Sequence, residues 1–303
     1  MNAFPFPLHT APKFLQSLNP NPSSSPHRSL FAAVGFASTS SGDAGLRFRE
    51  KLLFLERDLG VDSSRVLSLN PDLRSAPLSS LRSVSSLLAS FGLLPSDSAR
   101  LLSLHPCLLT ADPETSILPV FRFLLQQVGI PFADLRLSAS RCPRLLLSSV
   151  PDLLLPSFTY LRRLGFVGAH RITARTTVLL ISDAEQTFIP KLDFLQSLGF
   201  SYRETVKMIL RSPSLLTYSI DKNFRPKVEF LIAEMGREIL EMKEFPQYFA
   251  FSLEGRIKPR HKMLVERGFD ASSLSLKEML RVSDGEFQER LLDMRLRSID
   301  PRL

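Results

Sequence analysis

Three cations stand directly behind prolines: Lys191 after Pro190, Lys227 after Pro226 and Arg260 after Pro259. Arg225 and Lys258 stand directly in front of two of the same prolines. Proline is favoured at the first position of a helix, where its missing N–H would have had no intrahelical partner. A helix start carries positive partial charge, so a cation there opposes the local field by roughly a few tenths of a kcal/mol. An external anion would resolve the conflict. A phosphate takes hydrogen bonds from the free N–H groups and charge from the neighbouring Lys or Arg. These five residues are candidate phosphate ligands; solvated side chains at element edges are the plainer alternative. A second group, Arg141, Arg144, Arg162, Arg163, Arg171 and Arg175, lies where nearly every basic residue is arginine. The planar guanidinium suits bidentate contacts to phosphate or guanine. Arg211, closing a predicted helix, is a further nucleic-acid candidate.

The elements that must position these cations are marked by prolines. Pro106/Pro119, Pro143/Pro156, Pro213/Pro226 and Pro246/Pro259 are pairs thirteen residues apart, and Thr177/Pro190 and Pro71/Val84 are half-filled pairs in the same register. The first positions recur at steps of 35, 37, 34, 36 and 33 residues, a tandem period in the range of helical solenoids. Other residues keep the same phase. Four after each second position come Phe123, Tyr160, Phe194, Phe230 and Met263, and five after it come Leu124, Leu161, Leu195, Leu231 and Leu264. Nine or ten after it come Gly129, Gly165, Gly199, Gly236 and Gly268. Each second proline thus reads as the start of a helix that ends at a glycine able to take the left-handed cap conformation. Ser201-Tyr-Arg-Glu204 is a capping box opening a second helix through Arg211,. Pro213 stops that helix and begins one short further turn. The unit is helix, helix, short third turn, and neighbouring units must stack to bury their apolar faces. The phased aromatics, directly beside the phased leucines, read as core in preference to base-stacking platforms.

Composition narrows the function classes. The 303 residues are 44% hydrophobic with a formal net charge of +8, which suits a polyanionic partner. No apolar run approaches the ~18–20 residues of a membrane span. Cys107 and Cys142 form no CxxC pair, and His9, His27, His105, His170 and His261 lack metal-ligand spacing,. Glycine-rich phosphate loops, HExxH, GxSxG and paired carboxylates are absent from the sequence,. The expectation is a non-enzyme without cofactor or metal, and a monomer, since no oligomerisation signal is visible.

Residues 1–42 contain no Asp or Glu and are rich in Ser, Pro and Phe. That is the composition of an organelle transit peptide, with plastid preferred to mitochondrion because serine is high and arginine low. The expected organisation is a disordered transit peptide over 1–45, a helical repeat domain over 46–269, and a terminal helical cap and fraying tail over 270–303. The cap contains a second capping box, Ser275-Leu-Lys-Glu278,.

The stretch LRSPSLLTYSIDKNFRPKVEFLIAEMG and its echoes resemble the mitochondrial transcription termination factor family, which plants carry in organelle-targeted copies. The resemblance implies an all-α, curved superhelical solenoid of about six proline-punctuated repeats, whose concave basic surface binds nucleic acid. It also implies a regulator of organelle gene expression that acts on double-stranded DNA or on RNA, in transcription termination or transcript maturation, with other gene-expression proteins as further candidate partners. The competing expectation is a protein-interaction scaffold. Thr177 for proline, and Val84 and the early Gly92 in the first unit, are the departures from the pattern.

Overall fold

A chain cut every dozen residues by proline or glycine can build only short helices. Among the described residues, 40–299 of a computed structural model, every regular element is helical and none is a strand. The third turns are tight 3₁₀ turns at Pro71–Arg74, Pro106–Thr110, Pro143–Leu147, Thr177–Ile181, Pro213–Thr217 and Pro246–Ala250. Second helices are Ser63–Leu69, Pro95–Leu104, Phe132–Arg141, Tyr202–Arg211, Glu241–Glu244 and Leu276–Arg281. Both predicted capping boxes are formed, Ser201 with Glu204 and Ser275 with Glu278.

The second prolines do not start their helices. Each is the second residue of an α segment: Leu118–Phe123, Leu155–Leu164, Ile189–Ser197, Arg225–Glu229 and Lys258–Glu266. A wide turn precedes every one of them, over Pro113–Ile117, Val150–Leu154, Ala184–Phe188, Ile220–Phe224 and Leu253–Ile257. The true caps lie seven residues before each proline. They are Asp112, Ser149, Asp183, Ser219 and Ser252, whose side chains accept from backbone N–H groups two or three residues on. The cause is steric. A proline inside a helix cannot donate to the carbonyl four residues back and collides with it, so the preceding turn opens to five-residue bonds. Leu155 N–H donates to Val150 O and Arg225 N–H to Ile220 O in this way. The unit with Val84 in place of proline supplies the control: Leu78–Ser90 is a continuous α-helix without a wide turn.

The predicted glycines close the first helices in the left-handed region, with Gly165 at φ 112° and Gly129 at φ 78°. One unit departs from helix–helix–turn. Between Gly165 and Thr177 the second helix is replaced by a loop with a single short turn, Gly168–His170. The core follows the phased residues. Leu124, Leu161, Leu195, Leu231 and Leu264 are buried, as are Leu108, Leu145, Leu179, Leu215 and Tyr248 in the third turns. Rings bridge consecutive units: Tyr160 stacks on Phe188 at 6.0 Å and Phe194 on Phe224 at 5.8 Å.

A helix runs from Ser40 to Leu53, so it overlaps the end of the expected 1–45 leader; residues 1–39 lie outside the described ones. The tail expected to fray is helical from Asp284 to Ile299. No helix among the described residues is long and apolar enough to cross a membrane.

Candidate nucleic-acid interface

The cations behind the prolines point into the protein. Lys227 is 5% exposed and its Nζ donates to the carbonyl of Phe249 at 2.7 Å. Half-buried Lys191 donates to the carbonyl of Leu216. Arg260, 1% exposed, donates to Met279 O at 2.6 Å, to Val282 O at 3.0 Å and to Asp284 Oδ1 at 2.5 Å. Lys51, at the matching place in the first helix, donates to Leu73 O at 2.8 Å and Arg74 O at 2.9 Å. Ser157, behind Pro156, does the same with Ser182 O at 2.6 Å. The recurring cation thus has an internal anion-like partner. A 3₁₀ turn leaves its last carbonyls without intrahelical donors, and a long side chain from the first helix supplies one. This corrects the phosphate reading for Lys191, Lys227 and Arg260. Desolvation lowers the pKa of all three lysines, that of Lys227 to about 8.

Arg225 and Lys258, in front of the prolines, are more exposed but also engaged. Arg225 lies over the Phe194 ring at 5.7 Å and pairs with Asp221 at 3.5 Å. Lys258 lies over Phe230 at 5.9 Å and pairs with Glu254 at 2.5 Å. Each caps a phased ring of the preceding unit, a cation–π contact that ties units together. Arg162 and Arg163 are exposed in the last turn of their helix, where their charge suits the helix dipole, and Arg162 lies over Phe158 at 5.8 Å,.

Arg211 occupies a different setting. It ends a second helix and its guanidinium donates to the C-terminal carbonyls of the next one, Lys243 O at 2.8 Å and Glu244 O at 2.5 Å. It also lines three cavities. One of about 530 Å³ includes His170, Lys207, Lys243, Glu204 and Glu244. One of about 290 Å³ includes Lys277 and Arg281. The third, of about 440 Å³, includes Arg141 and Arg175. The structure therefore groups Arg211 with Arg141 and Arg175 of the arginine-rich stretch, while Arg162, Arg163, Arg225 and Lys258 line none of these cavities. A phase marks the grouping. Arg141, Arg175 and Arg211 each stand two residues before a first position, at Pro143, Thr177 and Pro213. Lys207, Lys243, Lys277 and Arg281 carry no proline beside them, so the proline register alone did not point to them.

The mTERF family model matches residues 124–288. Over 104 residues the chain is 38% identical to "Transcription termination factor MTERF2, chloroplastic" of Arabidopsis thaliana, covering 34% of this chain and 16% of that protein. It is 28% identical over 267 residues to "Transcription termination factor MTERF8, chloroplastic" of Arabidopsis thaliana, covering 74% of this chain and 52% of that protein. A mitochondrial relative, "Transcription termination factor MTEF18" of Arabidopsis thaliana, is 30% identical over 135 residues, covering 44% and 24%. The chain spans no more than about half the length of these relatives.

Proposed function

Since the chain belongs to the mTERF family, we propose that it regulates organelle gene expression by binding nucleic acid along the basic surface around Arg211, built from its second helices and the loop that replaces one of them. The carrying observation is the run of adjoining cavities joined at Arg211, whose linings include Arg141, Arg175, Lys207, Lys243, Lys277 and Arg281. Those six bases are set against the carboxylates of Glu204 and Glu244 alone in the linings. Clustered Lys and Arg on one surface attract a phosphate backbone and release its counterions. The relatives' names support transcription termination as the process, with transcript maturation as the alternative, and the composition of residues 1–42 supports the chloroplast over the mitochondrion.

The test is fluorescence anisotropy of the full chain with labelled double-stranded DNA and single-stranded RNA across a salt series. Binding that weakens linearly in log salt supports the reading, and the tighter nucleic acid selects transcription or RNA maturation. Absence of binding to either at low salt overturns it. A protein-interaction scaffold is the second reading, favoured by the exposed stripe Leu292, Leu296 and Ile299 on the last helix.

A further inference from the structure

We infer that the cavity lined by Arg141, Arg175 and Arg211 is a phosphate clamp that seats the backbone of one nucleic-acid strand across three consecutive units. The inference rests on the proposed nucleic-acid function and names the residues that hold the strand.

Four observations carry it. First, three arginines from successive units line one cavity of about 440 Å³, together with Thr176, Ser214 and Thr217, and no Asp or Glu lines it. The adjoining cavities do contain carboxylates, from Glu204 and Glu244, so this is where the surface is purely cationic. Like charges brought together without a counter-charge repel, and a bound anion relieves the repulsion.

Second, the three arginines differ in what they already hold. Arg211 spends donors on the carbonyls of Lys243 and Glu244, yet a guanidinium has five N–H groups. Arg141 and Arg175 are exposed, and neither side chain has a hydrogen bond, ion pair or ring contact among the described residues. Each keeps its whole planar fork for a ligand. A fork that accepts two oxygens matches phosphate geometry better than the point charge of lysine.

Third, the cavity lies where the repeat is broken. The missing second helix between Gly165 and Thr177 leaves a loop in its place, and that loop carries Arg175 and Thr176 into the lining. Fourth, the residues keep the register of the repeat at steps of 34 and 36 residues. Packed helices stand about 8–10 Å apart, so a polymer with regularly spaced charge fits such a row better than a compact anion does.

The experiment compares the full chain with Arg141→Ala/Arg175→Ala and with the control Arg65→Ala/Arg74→Ala. The control removes two exposed arginines distant in sequence from the cavity. Arg211 is left in place because it caps a helix. Binding to double-stranded DNA and single-stranded RNA is followed from low to high salt, alongside thermal melting by circular dichroism. The clamp predicts unchanged melting and a salt slope lower by about 1.4–1.8 in the first variant, at ~0.7–0.9 per lost phosphate contact. The control keeps the parental slope. Arg141→Lys/Arg175→Lys, which keeps charge but loses the fork, recovers only part of the affinity.

If the parent binds and the two alanine variants weaken equally, the clamp is wrong while the nucleic-acid function stands. If the parent binds neither nucleic acid, the function itself fails. A free-phosphate source is separated by competition with inorganic phosphate and with adenosine monophosphate. If either displaces the strand at concentrations comparable to the strand's own phosphates, the site is a small-anion pocket and the strand assignment is overturned.

Discussion

The ammonium of Lys227 donates to the carbonyl of Phe249 at 2.7 Å, and the hydroxyl of Tyr248 donates back to the carbonyl of Lys227 at 3.0 Å. First helix and third turn are locked reciprocally through buried groups. Lys191, Lys51 and Ser157 make versions of the same contact elsewhere in the chain, and Arg260 makes a related one to the end of the second helix Leu276–Arg281.

Replacing Lys227 with Met keeps the apolar stem but leaves the Phe249 carbonyl unpaired, and is expected to cost about 1–3 kcal/mol. Arg260→Met leaves the carbonyls of Met279 and Val282 without their donor, while the exposed Asp284 carboxylate returns to water, and is expected to cost somewhat more, about 2–4 kcal/mol. Urea unfolding measures both. Neither variant should change the salt slope of nucleic-acid binding; a fall of ~0.7–0.9 in Lys227→Met would restore a phosphate contact to that residue.

The same lysine gives a pH signature. Its pKa is about 8 in the folded protein against an ordinary 10.5. Between those values the unfolded chain binds more protons than the folded one, so stability rises with pH across that window and is flat in this contribution below it. Deprotonation does not break the contact, because the neutral amine still has N–H donors. Urea midpoints from pH 7 to pH 10 should climb more steeply in the parent than in Lys227→Met, and parallel profiles would count against the assignment.

Gly165 combines φ 112° with a close neighbour, since an added Cβ would stand 3.1 Å from Leu210 Cδ1. Gly165→Ala is expected to cost about 2–3 kcal/mol. At Gly129 the backbone is also left-handed but the space is open, so Gly129→Ala should cost nearer ~1 kcal/mol. Thermal melts of the pair separate backbone strain from crowding.

Ser219 caps a first helix by accepting from the backbone N–H of Lys222 at 3.2 Å. Ser219→Ala is expected to lose about 1 kcal/mol, and Ser219→Asp to retain most of it. Equal losses in both would mean that the wide turn, and not the cap, holds that helix end.

Much of the fold was legible because proline and glycine act locally. Gly165, Gly199 and Gly268 end first helices as the spacing requires, and the Ser201 and Ser275 boxes formed where the motif stood. The second prolines misled because a proline fits a helix start and also a helix interior behind a widened turn, and only the Ser or Asp seven residues upstream distinguishes the two. The site was less legible. A cation beside a proline looks the same in sequence whether its partner is an external phosphate or a carbonyl 22 residues on, as for Lys227 and Phe249. Arg141, Arg175 and Arg211 share a phase that the sequence displays, but their convergence on one cavity depends on a loop that takes the place of a helix.

The lock between first helix and third turn closes within about 25 residues or fewer, as between Lys191 and Leu216. Each module that has the latch, as those of Lys51, Ser157, Lys191 and Lys227 do, contains both of its halves. Duplicating or excising a whole module carries donor and acceptor together and leaves no orphaned charge, whereas a cut between Lys227 and Phe249 strands a buried ammonium. Such modules tolerate length change in whole periods and are brittle to fractions of one.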